Sequence, residues 1–257
     1  RNYDANGNTT AMGTTLLHYD DRNRLDALNP GSVPANTPIA VYDYNGKGER
    51  VSKSAGLATQ PQSVTLFAYN GNGALLGEYS SSGAVQQEYV YLNGMPIGVL
   101  KGTTAYYVSA DHLGTPRAII DPGRNVAVWT WDTFGTAFGE HGPNGDPDGD
   151  GTAFTINLRF PGQYFDSETG LNYNYFRDYE PATGRYAESD PAGLKGGAAT
   201  YAYVEGSPLR YMDTQGLEAK EVDCKGCDKN QKRSINFDCF NPSGAASEVT
   251  DKARRDC

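Results

Sequence analysis

Short repeated phrases dominate the first part of the chain and limit the folds open to it. Each phrase has an aromatic residue, then Asp or Asn, then a turn, usually with glycine, and then an apolar or β-branched residue. Each predicts a strand, a turn and a second strand, and one such hairpin cannot bury an apolar face alone. The repeats therefore predict strands stacked side by side in an extended β-structure. Four of these phrases are YDANGNTT (3–10), YDDRNRL (19–25), YDYNGKGERV (42–51) and YNGNGALLGEY (69–79).

The composition favours the same architecture. The 31 glycines and 18 tyrosines, against 3 methionines, are typical of tight turns between short tyrosine-bearing strands. Asn-Gly pairs at 6–7, 45–46, 70–71 and 93–94 predict two-residue hairpin turns, which need positive φ angles. The proline-containing segment at 29–38 predicts an exposed loop. We therefore predict an all-β fold.

The charge and hydropathy patterns narrow the classes of partner. A net charge of −9 leaves little attraction for a phosphate backbone, so we expect no nucleic-acid partner for residues 1–217. A membrane-spanning helix needs about 20 consecutive apolar residues, and the sequence has no such run. The chain begins inside a repeat, so we expect it to be the C-terminal part of a longer protein, with any export signal upstream.

More specific phrases begin at Tyr106: YYVSADHLGTPRAIID (106–121), FPGQYFDSETGLNYNYFRDYEPATGRYAESDPAGLKGG (160–197) and YAYVEGSPLRYMDTQGL (201–217). With these phrases the sequence resembles the RHS-repeat (YD-repeat) proteins and their RHS-associated core, over roughly residues 1–217. The resemblance implies a ribbon of strands that spirals into a hollow shell, with a core segment that plugs one end and a short cysteine-containing tail. It divides the chain into repeat strands (1–105), the core (106–217) and a variable tail (218–257).

The resemblance also implies a biological role. Such shells enclose a C-terminal polypeptide, often a toxin, in secreted bacterial weapons, including those of type VI secretion and bacterial competition. The implied partners are the protein's own upstream shell and its tail, an immunity protein and the secretion machinery, and the implied location is outside the cell or at its surface. Two alternatives stay open: an uncut cell-surface shell that binds a carbohydrate or a protein, and a tail that is itself an enzyme.

Two similar phrases carry the candidate chemistry. Asp190 in SDPAGL and Asp213 in MDTQGL share the pattern Asp-x-x-Gly-Leu, and a strand-like segment between them would let a hairpin bring them together. Two carboxylates that share a proton can activate a water molecule and protonate a leaving amine. On the residues alone, the alternative is that both aspartates only open turns.

The resemblance assigns these phrases to self-cleavage. It implies a cut after Leu217, with Glu218 as the new N-terminus, made by Asp190, Asp213 and a nearby arginine. Arg177 matches the arginine by position, and Arg185 is the other candidate. The second phrase usually reads Asp-Pro-x-Gly-Leu, whereas Thr214 stands here in place of proline. Because proline fixes φ, its absence predicts slower cleavage with both carboxylates retained.

Two other groups of residues suggest metal or redox chemistry. Asp146, Asp148 and Asp150 alternate as at the start of a calcium-binding loop, but Asn157 stands where a bidentate glutamate is expected. We therefore favour a solvated acidic loop and expect no cofactor. The tail carries all four cysteines, which are compatible with disulfides, zinc binding or free thiols: Cys224, Cys227, Cys239 and Cys257.

Three further residues invite a functional interpretation but favour a structural one. His112 lies beside Asp111 in DHLGTPR, without a serine or cysteine in an activating context, so a structural role is predicted. Trp129 and Trp131 alternate with other residues and therefore point to one face of a strand. They predict core positions rather than a ligand platform.

Overall fold

The computed structural model describes residues 1–31, 39–57, 60–132 and 136–221, which are almost entirely β-structure and confirm the all-β prediction. Arg1–Lys220 forms one compact unit. Within its described part, thirteen strands make one antiparallel sheet in which each strand pairs with its neighbours in sequence. These strands are β1 (Asn2–Tyr3), β2 (Thr9–Met12), β3 (Thr15–Tyr19), β4 (Leu25–Pro30), β5 (Ala40–Tyr44), β6 (Arg50–Leu57), β7 (Gln60–Tyr69), β8 (Leu75–Ser80), β9 (Val85–Leu92), β10 (Met95–Lys101), β11 (Thr104–Ala110), β12 (Pro116–Asp121) and β13 (Val126–Thr130).

The repeats close through a recurring five-residue turn that is opened by Asp or Asn. In the first copy the N–H of Asp4 donates to the carbonyl of Asn8 (3.0 Å), and the N–H of Gly7 donates to the carbonyl of Asp4 (3.2 Å). Oδ1 of Asp4 accepts the N–H groups of Asn6 and Asn8, both at 2.9 Å. The acidic or amide residue of each repeat therefore fixes the turn. The same turn recurs at 20–24, 45–49, 70–74 and 111–115.

The prediction of two-residue turns holds at one of the four Asn-Gly pairs. Asn93 (φ 52°) and Gly94 (φ 84°) join β9 directly to β10, as predicted. The prediction is wrong at the other three pairs, which lie inside five-residue turns. In the turns at 45–49 and 70–74 the positive φ lies at Gly48 (91°) and Gly73 (82°), two residues after the Asn-Gly pair. The side chain of the asparagine that opens each turn accepts main-chain N–H groups and so holds the longer turn.

A second, smaller sheet follows in the core region. Its strands are antiparallel and consecutive, and the two central ones are buried along their whole length. Two single-turn 3-10 helices, Gly193–Gly196 and Val204–Gly206, come next. The smaller sheet consists of β14 (Tyr164–Asp166), β15 (Leu171–Asn174), β16 (Arg177–Glu180) and β17 (Arg185–Tyr186). Two further short strands are β18 (Tyr211–Met212) and β19 (Lys220–Glu221).

Charged and aromatic contacts join the two sheets. Arg50 Nη1 of the large sheet lies 2.5 Å from Asp166 Oδ2 of the small one, and Lys53 Nζ lies 3.0 Å from Asp166 Oδ1. The rings of Phe67 and Tyr164 meet edge to face at 5.1 Å. Each large apolar side chain buried in this way contributes about 1.5 to 3 kcal/mol to stability. The small sheet is therefore anchored on one face of the repeat strands.

Both tryptophans belong to the main apolar cluster between the sheets, as predicted: Trp129 is 1% exposed and Trp131 2%. No helix of the described ranges is long and apolar enough to cross a membrane. Most of the predicted proline-containing loop and all four cysteines lie outside the described residues. The divisions proposed at residues 105 and 217 stay predictions.

Candidate active site

Arg177, at the start of β16, lies between the two Asp-x-x-Gly-Leu phrases. Its Nη2 atom is 3.1 Å from Asp190 Oδ2 and 3.4 Å from Asp213 Oδ2. All three side chains are buried, with 3% to 4% of each exposed. The tertiary structure therefore brings together the three residues that the sequence singled out.

Arg185, the other arginine considered, does not join this group. It begins β17 at an exposed position, and its guanidinium packs against the ring of Tyr201 at 5.4 Å. Arg177 is the residue that contacts both aspartates.

Each aspartate also opens a turn, as the structural alternative predicted. Asp213 Oδ1 accepts the N–H groups of Gln215 (3.2 Å) and Leu217 (3.0 Å), the same contacts that fix the repeat turns. Asp190 Oδ1 accepts the N–H of Ala192 at 2.7 Å. In both residues Oδ1 holds the turn while Oδ2 faces Arg177, so the two interpretations describe different atoms of the same side chains.

Two residues that the sequence analysis missed support this group. The Tyr186 hydroxyl donates to Asp213 Oδ2 at 2.9 Å, and Asn174 Nδ2 donates to the Tyr186 hydroxyl (2.7 Å) and to the carbonyl of Asp213 (2.9 Å). The Arg177 guanidinium lies 3.7 Å above the Tyr186 ring. Burial raises the pKa of Tyr186 well above its usual value, so its hydroxyl stays a proton donor at neutral pH.

A signal for these residues exists in the strand pattern. Asn174 pairs directly with Arg177 between β15 and β16, and Tyr186 lies on β17, the next strand of the same sheet. The sequence shows three short strands here, but Asn174 and Tyr186 can be assigned to the site of Arg177 only when the register of those strands is known.

The main chain before the predicted cut is held against the arginine. Arg177 Nε donates to the carbonyl of Gly216. Gly216 has a φ of +70°, and a Cβ atom there would lie 2.6 Å from the carbonyl oxygen of Asn174. A side chain would therefore clash with the backbone, so glycine is required at this position.

A cleft of about 460 Å³ is lined both by the candidate catalytic residues and by the segment of the chain that they are predicted to cut. Its walls include Arg177, Asp190 and Asp213 together with Leu217 and Glu218, the residues on either side of the predicted cut. Glu218 is exposed and Leu217 partly buried. Two aspartates, an arginine and both residues of the predicted cut therefore line the same cleft.

The acidic loop has a different kind of site. One carboxylate oxygen from each of Asp146, Asp148 and Asp150 lies within 4.8 Å of the others. Arg124 Nη1 lies 2.7 Å from Asp148 and 2.6 Å from Asp150 and neutralises part of their charge. The preference for a solvated acidic loop over a calcium site stays a prediction.

His112 makes a structural contact within the described chain: its Nε2 lies 3.0 Å from the main-chain carbonyl of Leu209. It lies outside the cleft lined by Arg177.

No protein-family profile matches the chain. The curated relatives include the toxin protein Tse5 of Pseudomonas aeruginosa (39% identical over 113 residues, 43% of this chain and 8% of the relative). They also include the probable deoxyribonuclease RhsB of Dickeya dadantii (29% over 208 residues, 77% and 13%) and the tRNA nuclease WapA of Bacillus subtilis (28% over 221 residues, 83% and 9%). The chain thus spans only 8% to 13% of the length of these relatives.

Solved structures show the same fold. The crystal structure of TcdB2-TccC3 without its hypervariable C-terminal region matches 84% of this chain and 11% of its own, with a TM-score of 0.62 at 20% identity. The crystal structure of TcdB2-TccC3-Cdc42 matches equally, with a TM-score of 0.62 at 21% identity. Together with the repeat turns and the relatives in sequence, these matches lead to one conclusion: the chain is an RHS-type repeat protein.

Proposed function

We propose that this chain is the C-terminal part of an RHS toxin-type protein whose core cuts its own main chain once, between Leu217 and Glu218, and so releases the tail. The observation that carries the proposal is the shared cleft. Arg177 contacts both aspartates there, and the bond to be cut lies in the same wall. Several relatives are named as toxins or nucleases, which supports a toxin role for the released tail.

The reaction is a peptide hydrolysis that needs only the groups in the cleft and one water molecule. One carboxylate accepts a proton from the water while the water oxygen bonds to the carbonyl carbon of Leu217. The other carboxyl group donates a proton to the nitrogen of Glu218 as the C–N bond breaks. Positioned acid and base groups each accelerate such reactions by about 10² to 10⁴.

The surrounding residues hold this geometry. Asp213 already contacts Leu217 through the turn hydrogen bond at 3.0 Å, while Tyr186 fixes its other oxygen. Arg177 holds Oδ2 of both aspartates and the carbonyl of Gly216. Groups fixed in advance in this way lose little entropy on reaching the transition state.

The biological setting is part of the proposal. The protein would be exported as a bacterial delivery system, with type VI secretion as one route, and its partners would be its own upstream strands, the tail, secretion machinery and an immunity protein. One relative is named toxin protein Tse5, which supports a toxin role.

Intact mass spectrometry of the purified full chain tests the cleavage. We expect two pieces, one ending at Leu217 and one beginning at Glu218. Asp190→Asn should give one intact mass, because the substitution keeps an oxygen for the turn but removes the ionisable group. A wild-type chain that stays whole after prolonged incubation would favour the uncut binding shell instead.

A further inference from the structure

Arg159 is a buried arginine with an unusual environment. Arg159 is 6% exposed, and its Nη1 atom donates to the carbonyls of Ile156 (3.1 Å) and Leu158 (2.9 Å). Buried Arg50 and Arg177 each lie within ion-pair distance of an aspartate. Among the described residues, by contrast, no carboxylate reaches Arg159. It is therefore a buried cation whose counter-charge the described chain does not supply.

Aromatic rings surround this charge. The guanidinium carbon lies 4.7 Å from the ring centre of Phe165 and 5.5 Å from that of Trp131. Burial lowers the pKa of Arg159 to about 10, so the group is still positively charged at neutral pH. An anion brought into these surroundings would be attracted more strongly than at an exposed arginine.

A cavity of about 410 Å³ is lined by Arg159 and by Gln163. Gln163 is 1% exposed, and its Nε2 has no hydrogen-bond partner, while its Oε1 accepts from Asn172 at 2.8 Å. Buried donors without acceptors are rare because each costs about 1 to 3 kcal/mol. Arg159 thus contributes an unneutralised guanidinium to the cavity wall, whereas Nε2 of Gln163 is fully buried.

Several aromatic rings also line the cavity, among them Tyr69, Tyr91 and Tyr175. Ligand pockets commonly combine apolar and aromatic walls with a few polar groups that fix the orientation. The planar fork of an arginine matches the two oxygens of a carboxylate.

We propose that this cavity binds a small organic carboxylate of about monosaccharide size. Its carboxylate contacts Arg159, and its body lies against the tyrosines. The proposal does not depend on self-cleavage, since Arg159 does not line the cleft of Arg177.

Saturation-transfer NMR and calorimetry on the full chain, with glucuronate as the probe, test the proposal. A ligand of this size that gains about 0.3 kcal/mol per heavy atom binds with a Kd on the order of 1 mM. Glucose has the same ring without the carboxylate and should bind at least tenfold more weakly. Sulfate supplies charge without an organic body and should not displace glucuronate at equal concentration.

Two variants locate the site. Arg159→Met keeps the aliphatic stem but removes the charge, and should weaken glucuronate binding at least tenfold. Gln163→Glu keeps an acceptor for Asn172 and adds a negative charge to a residue of the cavity wall, so it should also weaken glucuronate binding at least tenfold. It keeps the test decisive if the first variant fails to fold. Arg124→Met, at an exposed arginine, is the matched control and should bind normally.

The proposal is overturned if the wild type does not bind glucuronate at 10 times the expected Kd, on the order of 10 mM. It is equally overturned if glucose binds as well, if sulfate displaces glucuronate at equal concentration, or if folded Gln163→Glu binds like the wild type.

Discussion

Asp213→Asn separates the two structural roles of this aspartate. The turn needs only an oxygen at Oδ1, and the chain itself uses asparagine for that purpose at Asn45 and Asn70, in the same five-residue turn. The substitution should therefore leave the turn intact. It removes the ionisable group beside Arg177, and with it the proposed chemistry.

The cost in stability follows from the interactions that the substitution weakens. Asp213 Oδ2 lies 3.4 Å from Arg177 and accepts from Tyr186 at 2.9 Å, while Arg177 keeps its 3.1 Å contact with Asp190. Because the amide oxygen stays in the turn, an NH₂ group replaces Oδ2 and the Tyr186 hydroxyl loses its acceptor. Arg177 keeps Asp190, so the loss should be about 1 to 3 kcal/mol. For a domain of this size that corresponds to a fall in Tm of about 2 to 12 °C. Cleavage should fall by a factor of about 10² or more, because residues that act as a unit fail together.

The assay is a time course of intact mass, with circular dichroism melting on the same samples. Asp111→Asn is the matched control, since Asp111 opens the same turn, is buried and pairs with Arg117 at 2.8 Å, but lies outside the cleft. The control should lose comparable stability and keep the parental cleavage rate. If folded Asp213→Asn releases the tail at the parental rate, the carboxyl mechanism is wrong and Asp213 is only a turn residue.

Three other perturbations test separate parts of the structure. Thr214→Pro should keep or raise the cleavage rate on a gel time course, because the Thr214 N–H donates to no described residue and proline restricts φ; a slower rate would contradict this. Burial raises the pKa of Glu188 from 4.5 to about 7, so its contribution to stability is full below pH 4.5 and is lost as the pH rises through 7. The denaturant midpoint should therefore fall over that range more steeply in the wild type than in Glu188→Gln, and parallel curves would exclude the assignment. Asp166→Ala should cost about 3 to 5 kcal/mol in urea unfolding, because Arg50 and Lys53 lose their shared buried partner, and a loss below about 1 kcal/mol would refute that estimate.

The sequence by itself was sufficient for the β-architecture. Its repeats encode both the strand and the turn locally, since Asp or Asn contacts N–H groups only two and four residues ahead. The same local logic placed the hairpin at Asn93 and Gly94. It failed at three other Asn-Gly pairs because the sequence pair does not reveal which side chain will cap the turn.

The candidate site depends on contacts that no local pattern contains. Asp190 and Asp213 could be recognised as paired phrases, but their use of one oxygen for the turn and the other for Arg177 is visible only in three dimensions. Tyr186 and Asn174 escaped the sequence analysis because hydrogen bonds to them cross three strands whose register is set by packing.

Charge compensation was the property that only the tertiary structure decided. In the sequence Arg50, Arg159 and Arg177 are equivalent basic residues. Folding places Arg50 against Asp166, which is 116 residues away, and Arg177 against two aspartates. Within the described part of the chain, Arg159 contacts main-chain carbonyls and aromatic rings but no carboxylate. Burial makes those differences matter, because a charge removed from water depends on its immediate neighbours, and the neighbours are chosen by packing rather than by order along the chain.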